Sequence, residues 1–133
     1  MAMLLLKTRE EHMGGVRKHR MHATDAAPRD IHHGDWLLVQ VTSGPHGNET
    51  RRVKYAMRFD ECYRDETGET SRIWGDTWEY LIRGYDFRIL RRPFDIEKIQ
   101  VSKANYGQGV IRFAYIDPAD EILILKRGLL DPA

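Results

Sequence analysis

The chain has 133 residues, of which 41% are hydrophobic and 31% charged, and its formal net charge is +1. This length fits a single domain over residues 1–133 that buries a core without needing a disulfide or a metal ion. The composition argues against disorder. A net charge so close to zero excludes the simplest kind of nucleic-acid-binding protein, one that is strongly basic throughout.

The cysteine count and the apolar runs restrict the class of protein further. Cys62 is the single cysteine, so an intrachain disulfide and a cysteine-based zinc site are excluded. A reducing, cytoplasmic compartment is therefore expected. No apolar run approaches the roughly 18 residues of a membrane span, and the N-terminal run is too short for a secretory signal.

The charges are unevenly distributed along the chain. Residues 1–59 carry ten Lys/Arg and six Asp/Glu, and residues 80–116 carry seven and three. Residues 60–79 carry two Lys/Arg and seven Asp/Glu, and residues 117–133 carry two and four. Two basic segments therefore alternate with two acidic ones. They have a functional meaning only if the fold brings segments of like sign onto one face.

Hydrophobic patterning predicts two strands in the first third of the chain. Residues 4–8 are an apolar run that ends in polar residues, which is typical of a buried strand. Residues 24–28 fit the start or the end of a short helix that Pro28 limits. After a His-Gly-Asp turn, residues 36–42 alternate as a strand with one apolar face.

The middle of the chain reads as strand, loop and strand. Residues 51–62 alternate and follow a Gly/Pro/Asn-rich turn, so they are predicted to form an antiparallel hairpin with residues 36–42. Residues 64–77 are predicted to be a polar loop, and residues 78–90 a third long strand.

The C-terminal third predicts one helical turn at residues 93–99 and a strand at residues 110–116. A helix start follows, with Asp117 as N-cap and Pro118 in the first turn. Residues 122–125 fit a helix or a strand. About five to six strands with few short helices indicate an α/β (α+β) domain built on a small curved sheet or barrel.

Two tryptophans, Trp74 and Trp78, stand where the polar loop meets the following strand. A tryptophan in such a loop either packs against the rim of the core or lines a pocket. Two neighbouring indoles can hold a flat ring between them, and stacking a base on an aromatic face contributes about 1–3 kcal/mol. The residues alone leave rim packing and a base-binding pocket both open.

Several segments resemble the EVE and YTH domains of the PUA-like superfamily, and they occur in the family order. The similar segments are the opening strand at residues 4–8, the Gly-Val-Arg-Lys stretch at 15–18, the Gly-Asp turn and strand at 31–38, and the tryptophan loop at 74–78 with its downstream segment at 91–96. The resemblance implies a PUA-like fold with a pocket for a modified base, as in relatives that bind methyladenine in RNA or modified bases in DNA.

The resemblance also implies roles for individual residues. Trp74 and Trp78 would form the walls of an aromatic cage, or one wall and its scaffold. Lys7 and Thr8 would contact the base edge, and Met13 would replace an aromatic ring. Contacts to the nucleic-acid backbone would come from Arg17, Lys18, Arg20, Arg51, Arg52 and Lys54.

The partner that the resemblance implies is nucleic acid with a modified, flipped base, DNA rather than RNA. The chain would then be the specificity domain of a prokaryotic modification-dependent restriction system. No cofactor or metal ion is implied, and the chain would not be an enzyme. Any nuclease or NTPase activity would belong to a partner or to a longer parent chain.

Two other functions remain open. One is an RNA-binding PUA-like module without preference for a modified base. The other is a hydrolase of acylated nucleosides similar to ASCH domains, with Lys18 and either Glu10 or Glu11 as the catalytic pair. A histidine metal site is disfavoured because His32 and His33 are adjacent and point apart in a strand.

Overall fold

The computed structural model describes residues 2–42, 52–95 and 113–133. Six strands form one mixed sheet in the order β2-β5-β4-β3-β1-β6, curled into a half-barrel, and three short helices complete a small α+β domain. The elements in chain order are β1 (Met3–Arg9), a 3-10 turn (Glu10–His12), α1 (Met13–His19), β2 (Met21–Thr24), β3 (Trp36–Thr42), β4 (Arg52–Arg64), α2 (Glu69–Trp74), β5 (Tyr80–Asp95), β6 (Phe113–Tyr115) and α3 (Pro118–Lys126).

Strand pairing brings the ends of three strands together. β1 runs parallel to β3 and antiparallel to β6, whereas β3 is antiparallel to β4, as predicted for the hairpin. Thr8 lies level with Val41, which lies level with Arg52. The end of β1, the end of β3 and the start of β4 therefore share one end of the sheet.

The alternation of side chains divides the core between the two faces of the sheet. Leu5 and Leu38 pack on one face with Ile124 of α3. Leu4 and Leu37 pack on the other face, where Met13 of α1 covers them. Burial of each leucine side chain stabilises the folded state by about 1.5–3 kcal/mol. Packing against these two clusters therefore holds α1 and α3 on opposite faces of the sheet.

The sequence predicted most of this framework. The strands at residues 4–8, 36–42 and 51–62 are confirmed as β1, β3 and β4 with small differences at their ends, and residues 113–115 of the last predicted strand form β6. The helix that starts after Asp117 is confirmed as α3. It includes residues 122–125, for which the pattern had also fitted a strand.

Three predictions were wrong. Residues 25–28 form no helix, and residues 21–24 pair with β5 as strand β2. The loop predicted at 64–77 contains α2, whereas the strand predicted at 78–90 is confirmed as β5 and begins at Tyr80. Residues 93–95 extend β5 instead of starting a helical turn, because they pair with the first residues of β4. The predicted segments 96–99 and 110–112, like Arg51, lie outside the described residues.

None of the helices found in the described ranges is both long and apolar enough to cross a membrane.

Core packing on the α3 face predicts the response to truncation at Leu38, which is fully buried. Leu38→Ala should lower the free energy of unfolding by about 2–5 kcal/mol, through lost burial and the cavity left behind. Ile122→Ala is the control, because Ile122 is 67% exposed and should shift stability by no more than about 0.5 kcal/mol. Urea denaturation followed by circular dichroism measures both, and equal losses would contradict this description of the core.

Candidate functional site

A hydrogen-bond network around Asp65 holds the two predicted cage tryptophans. The Asp65 carboxylate accepts the backbone N–H groups of Glu69 (2.9 Å) and Thr70 (3.1 Å) and the Thr70 hydroxyl (2.7 Å). The Thr70 oxygen in turn accepts the backbone N–H of Trp78 at 3.1 Å. Asp65 therefore caps the start of α2, and Thr70 ties the chain after α2 back to the helix.

Trp74 and Trp78 lie close together, but their planes are perpendicular. Their ring centroids are 6.0 Å apart with an interplanar angle of 88°. Trp78 makes a similar edge contact with His12, at 5.5 Å and 84°. Such edge-to-face pairs are a favourable aromatic arrangement. In this geometry the indoles form a corner and do not flank a flat ring as parallel walls.

Trp74 is wedged beneath α1. Its Nε1–H donates a hydrogen bond to the carbonyl oxygen of His12 at 3.1 Å. A Cβ atom at Gly15 would lie 2.4 Å from Nε1 and 2.7 Å from a methyl carbon of Ile73. Only glycine allows α1 and α2 to approach this closely, so Trp74 acts here as scaffold between the two helices.

A narrow pocket lies inside the half-barrel beside Trp74. Its lining consists of Thr8, His12, Val16, His22, Ala23 and Trp74. Thr8 and His22 are buried, and the Thr8 hydroxyl lies 3.2 Å from His22 Nδ1. The space between these side chains is too small to admit a water molecule. The pocket thus combines hydrogen-bonding groups with aromatic and apolar walls, and it is closed.

Neither Lys7 nor Met13 lines this pocket. Side chains alternate along β1, so Lys7 points to the face opposite Thr8, at the level of Gln40. Burial lowers the pKa of the Lys7 amine. Met13 packs against the apolar cluster of Leu4 and its neighbours. The structure therefore places Thr8 and Trp74 in the pocket lining, with Trp78 in edge contact with Trp74. Lys7 points to the opposite face, whereas Met13 packs on the same face as Thr8 without lining the pocket.

The predicted backbone-contacting cations fall into two groups. Arg17, Lys18 and Arg20 are exposed on α1 and just after it, next to the pocket. Arg52 is exposed and Lys54 partly exposed at the start of β4. Since Arg52 lies two strands across the sheet from Thr8, their Cα atoms are about 10 Å apart.

His12 and His22 line the pocket, although the sequence did not predict them as site residues. His22 lies on β2, a strand of four residues that pairs with the start of β5. A four-residue segment after a helix gives almost no periodicity signal. The observation that could have indicated it is a histidine between Met21 and Ala23, where a polar residue interrupts an otherwise apolar stretch.

The structure also locates the residues that a metal site, an acyl hydrolase and a cysteine nucleophile would need. In the described part of the chain, no group of three or more His, Cys, Asp or Glu side chains could hold a metal ion. Glu10 and Glu11 lie before α1 and Lys18 near its end, about 10 Å apart along the axis, and Glu11 pairs with Arg9 at 3.3 Å. Burial raises the pKa of the Cys62 thiol to about 11, which keeps it protonated.

Comparison with known proteins gives a result for structure but not for sequence. No protein-family model and no curated protein matches the sequence. The YTH domain of the MRB1 protein of Zygosaccharomyces rouxii, solved in complex with N6-methyladenosine RNA, is similar with a TM-score of 0.58 and 14% sequence identity, over 95% of this chain and 85% of the YTH chain. The chain has the fold of a YTH domain. The specific likeness to EVE domains stays a prediction.

The close approach of α1 to α2 predicts opposite effects at two adjacent glycines. Gly15→Ala should destabilise the protein by about 1–3 kcal/mol because its methyl group collides with Trp74. Gly14→Ala should stabilise it by about 0.5–1 kcal/mol, since a Cβ atom there meets nothing within 4 Å and alanine favours the helix. Thermal and urea unfolding measure both; equal effects of the two substitutions would refute this packing.

The Asp65 network predicts a pH-dependent stability. Its bonds, chiefly from the Thr70 hydroxyl, lower the pKa of Asp65 from an ordinary value near 3.8 to about 2. The ionised form therefore stabilises the fold above pH 4, and this contribution is lost as the pH falls from about 4 to about 2. Asp65→Asn should be less stable than wild type at pH 7, with the difference in urea midpoint shrinking towards pH 2. Asp76→Asn, an exposed position in the same region, should show no such convergence.

Proposed function

We propose that this protein is a binding module that recognises a modified base in nucleic acid, with methyladenine as the first candidate. The base would enter the pocket between Thr8, His12, His22 and the tryptophan corner. The observation that carries the proposal is this closed polar-aromatic pocket in a domain with the fold of a YTH domain, whose solved relative holds N6-methyladenosine RNA.

The chemistry of the pocket suits a methylated base. The hydroxyl of Thr8 and the imidazole of His22 can donate or accept hydrogen bonds at a base edge. Indole and imidazole faces offer stacking surface. A methyl group adds apolar area that aromatic walls remove from water. Burial of this methyl group therefore gives a methylated base a more favourable binding free energy than an unmodified base.

Base entry requires a side chain to move, because the pocket is closed. Trp74 is bonded to His12 and wedged under Gly15, so it stays in place. The partly exposed side chain of Trp78 lies outside the helices and strands, and it makes edge contacts with Trp74 and His12. In this proposal the base displaces Trp78 from these edge contacts, and the freed indole then stacks on the base.

RNA is the first choice of nucleic acid, because the similar YTH structure contains RNA. The DNA preference, the restriction system and the partner nuclease were implied by the EVE resemblance, and they stay predictions. The cytoplasmic location inferred from the single cysteine has the same standing. A binding role is favoured over acyl hydrolysis, because Lys18 and Glu10 or Glu11 lie towards opposite ends of α1.

Titration of matched oligonucleotides tests the proposal. Short RNA and DNA strands, each with one adenine either unmodified or N6-methylated, are titrated while tryptophan fluorescence is followed. Wild type should bind a methylated strand at least about tenfold more tightly than its unmodified partner, equivalent to about 1.4 kcal/mol. Equal affinity for the two strands would support the RNA-binding module without base specificity and overturn this proposal.

Two substitutions locate the binding site. Trp78→Ala should remove about 1–3 kcal/mol of binding energy for the methylated strand, the value of one stacking contact. Trp78→Phe should retain part of it. Thr8→Val keeps the shape of the side chain and removes its hydroxyl. Trp36→Phe on the other face of the sheet is the control. If Trp78→Ala folds and discriminates as wild type does, the pocket assignment is wrong.

A further inference from the structure

A second concavity lies on the other side of the contact between Gly15 and Trp74. It is a groove of about 460 Å³ between α1 and α2. Its lining includes Gly14, Lys18 and His19 of α1 and Glu69, Arg72 and Ile73 of α2. The contact between α1 and α2 separates the groove from the base pocket. Gly15 and Ile73 line the groove, whereas the next residue of each helix, Val16 and Trp74, lines the pocket.

The groove carries an excess of positive charge. Lys18 and Arg72 are exposed, and no acidic side chain in the described residues forms an ion pair with either. Glu69 is the single acid of the lining, and its carboxylate already accepts a hydrogen bond from the Tyr63 hydroxyl at 3.2 Å. An anion entering the groove would therefore meet two cations and one acid that is already engaged.

Arg72 is held in an orientation that suits anion binding. Its Nη1 donates to the carbonyl oxygen of Thr67 at 2.7 Å, which fixes the guanidinium beside the groove. A guanidinium has five N–H donors, so several remain for a ligand. Ile73 adds an apolar patch to the same wall. The lining thus fits a phosphate next to a ribose better than it fits an isolated ion.

We propose that this groove binds the phosphate and ribose of the nucleotide adjacent to the base in the pocket. Lys18 and Arg72 contact the phosphate, and Ile73 packs against the sugar. This inference rests on the proposed function, because the strand is positioned by its modified base. It adds Arg72, a residue of the acidic segment 60–79, to the residues that contact nucleic acid. It also predicts that the strand leaves the pocket in the direction of the groove.

Three variants test the groove without touching the pocket. Lys18→Gln and Arg72→Gln remove its cations, and Gly14→Trp fills it from a position where a Cβ atom meets nothing within 4 Å. Each should weaken binding of a five-nucleotide methylated RNA about tenfold, the loss of one charged hydrogen bond. Binding of the free N6-methyladenosine nucleoside, which has no phosphate, should be unchanged. Arg127→Gln, at an exposed position directly after α3, is the charge-matched control.

Salt dependence and phosphate chemistry give independent readouts. Each lost phosphate contact should reduce the slope of log affinity against log salt by about 0.7 for a single strand. Replacing one flanking phosphate by a neutral methylphosphonate should weaken wild type and leave Lys18→Gln or Arg72→Gln without further loss. If inorganic phosphate binds in the groove while the methylphosphonate substitution leaves wild-type affinity unchanged, the groove is a site for a free anion and the nucleotide assignment is overturned.

The outcomes separate the two proposals. If wild type binds neither the nucleoside nor a methylated strand, the proposed function fails and the groove inference fails with it. If wild type discriminates methylated strands while Lys18→Gln, Arg72→Gln and Gly14→Trp match the Arg127→Gln control, only the groove inference is overturned. An equal loss of nucleoside and strand affinity would likewise overturn it. Should Gly14→Trp not fold, the two exposed glutamine variants decide the question.

Discussion

The contact between Trp74 and Gly15 is the constraint on which the candidate site depends. It presses the end of α2 against α1, and the Trp74 indole bonds the carbonyl of His12. The pocket lies on one side of this contact and the groove on the other. Both concavities therefore depend on the absence of a side chain at Gly15 of α1. They also depend on Asp65, which caps the start of α2, the short helix that carries the Trp74 indole.

The framework of the fold was predictable from the sequence because its central strands consist of long apolar or alternating runs, which β1 and β3 bury on both faces of the sheet. β1, β3 and β4 have long alternating or apolar runs, and a run of that kind determines a strand whatever it pairs with. β2 and α2 have no such signal. β2 is fixed by pairing with the start of β5, and α2 by the Asp65 side chain. Tertiary contacts of this kind cannot be read from a window of sequence.

The candidate site was predictable only where it depended on residue type. Two tryptophans in a polar loop are unusual, and they do lie together. Their perpendicular planes depend on α2, which the sequence did not reveal. The separation of Lys7 from Thr8 follows directly from strand alternation along β1. His22 of β2 reaches Thr8 of β1, four strands away in the sheet order, only because the sheet curls, and curling is a property of the assembled strands.

The near-zero net charge is compatible with a local basic surface, because several of the acidic side chains form ion pairs elsewhere in the protein. Acids of residues 60–79 are bound within the protein: Asp60 contacts Arg83 at 3.1 Å, and Glu79 contacts Arg64 at 3.0 Å. These pairs lie along β4 and β5, whereas Lys18 and Arg72 face the groove without an ion pair in the described residues. A near-neutral protein can therefore present a local basic surface. If the groove binds one flanking phosphate as proposed, salt weakens binding only modestly, and selectivity then has to arise from the pocket.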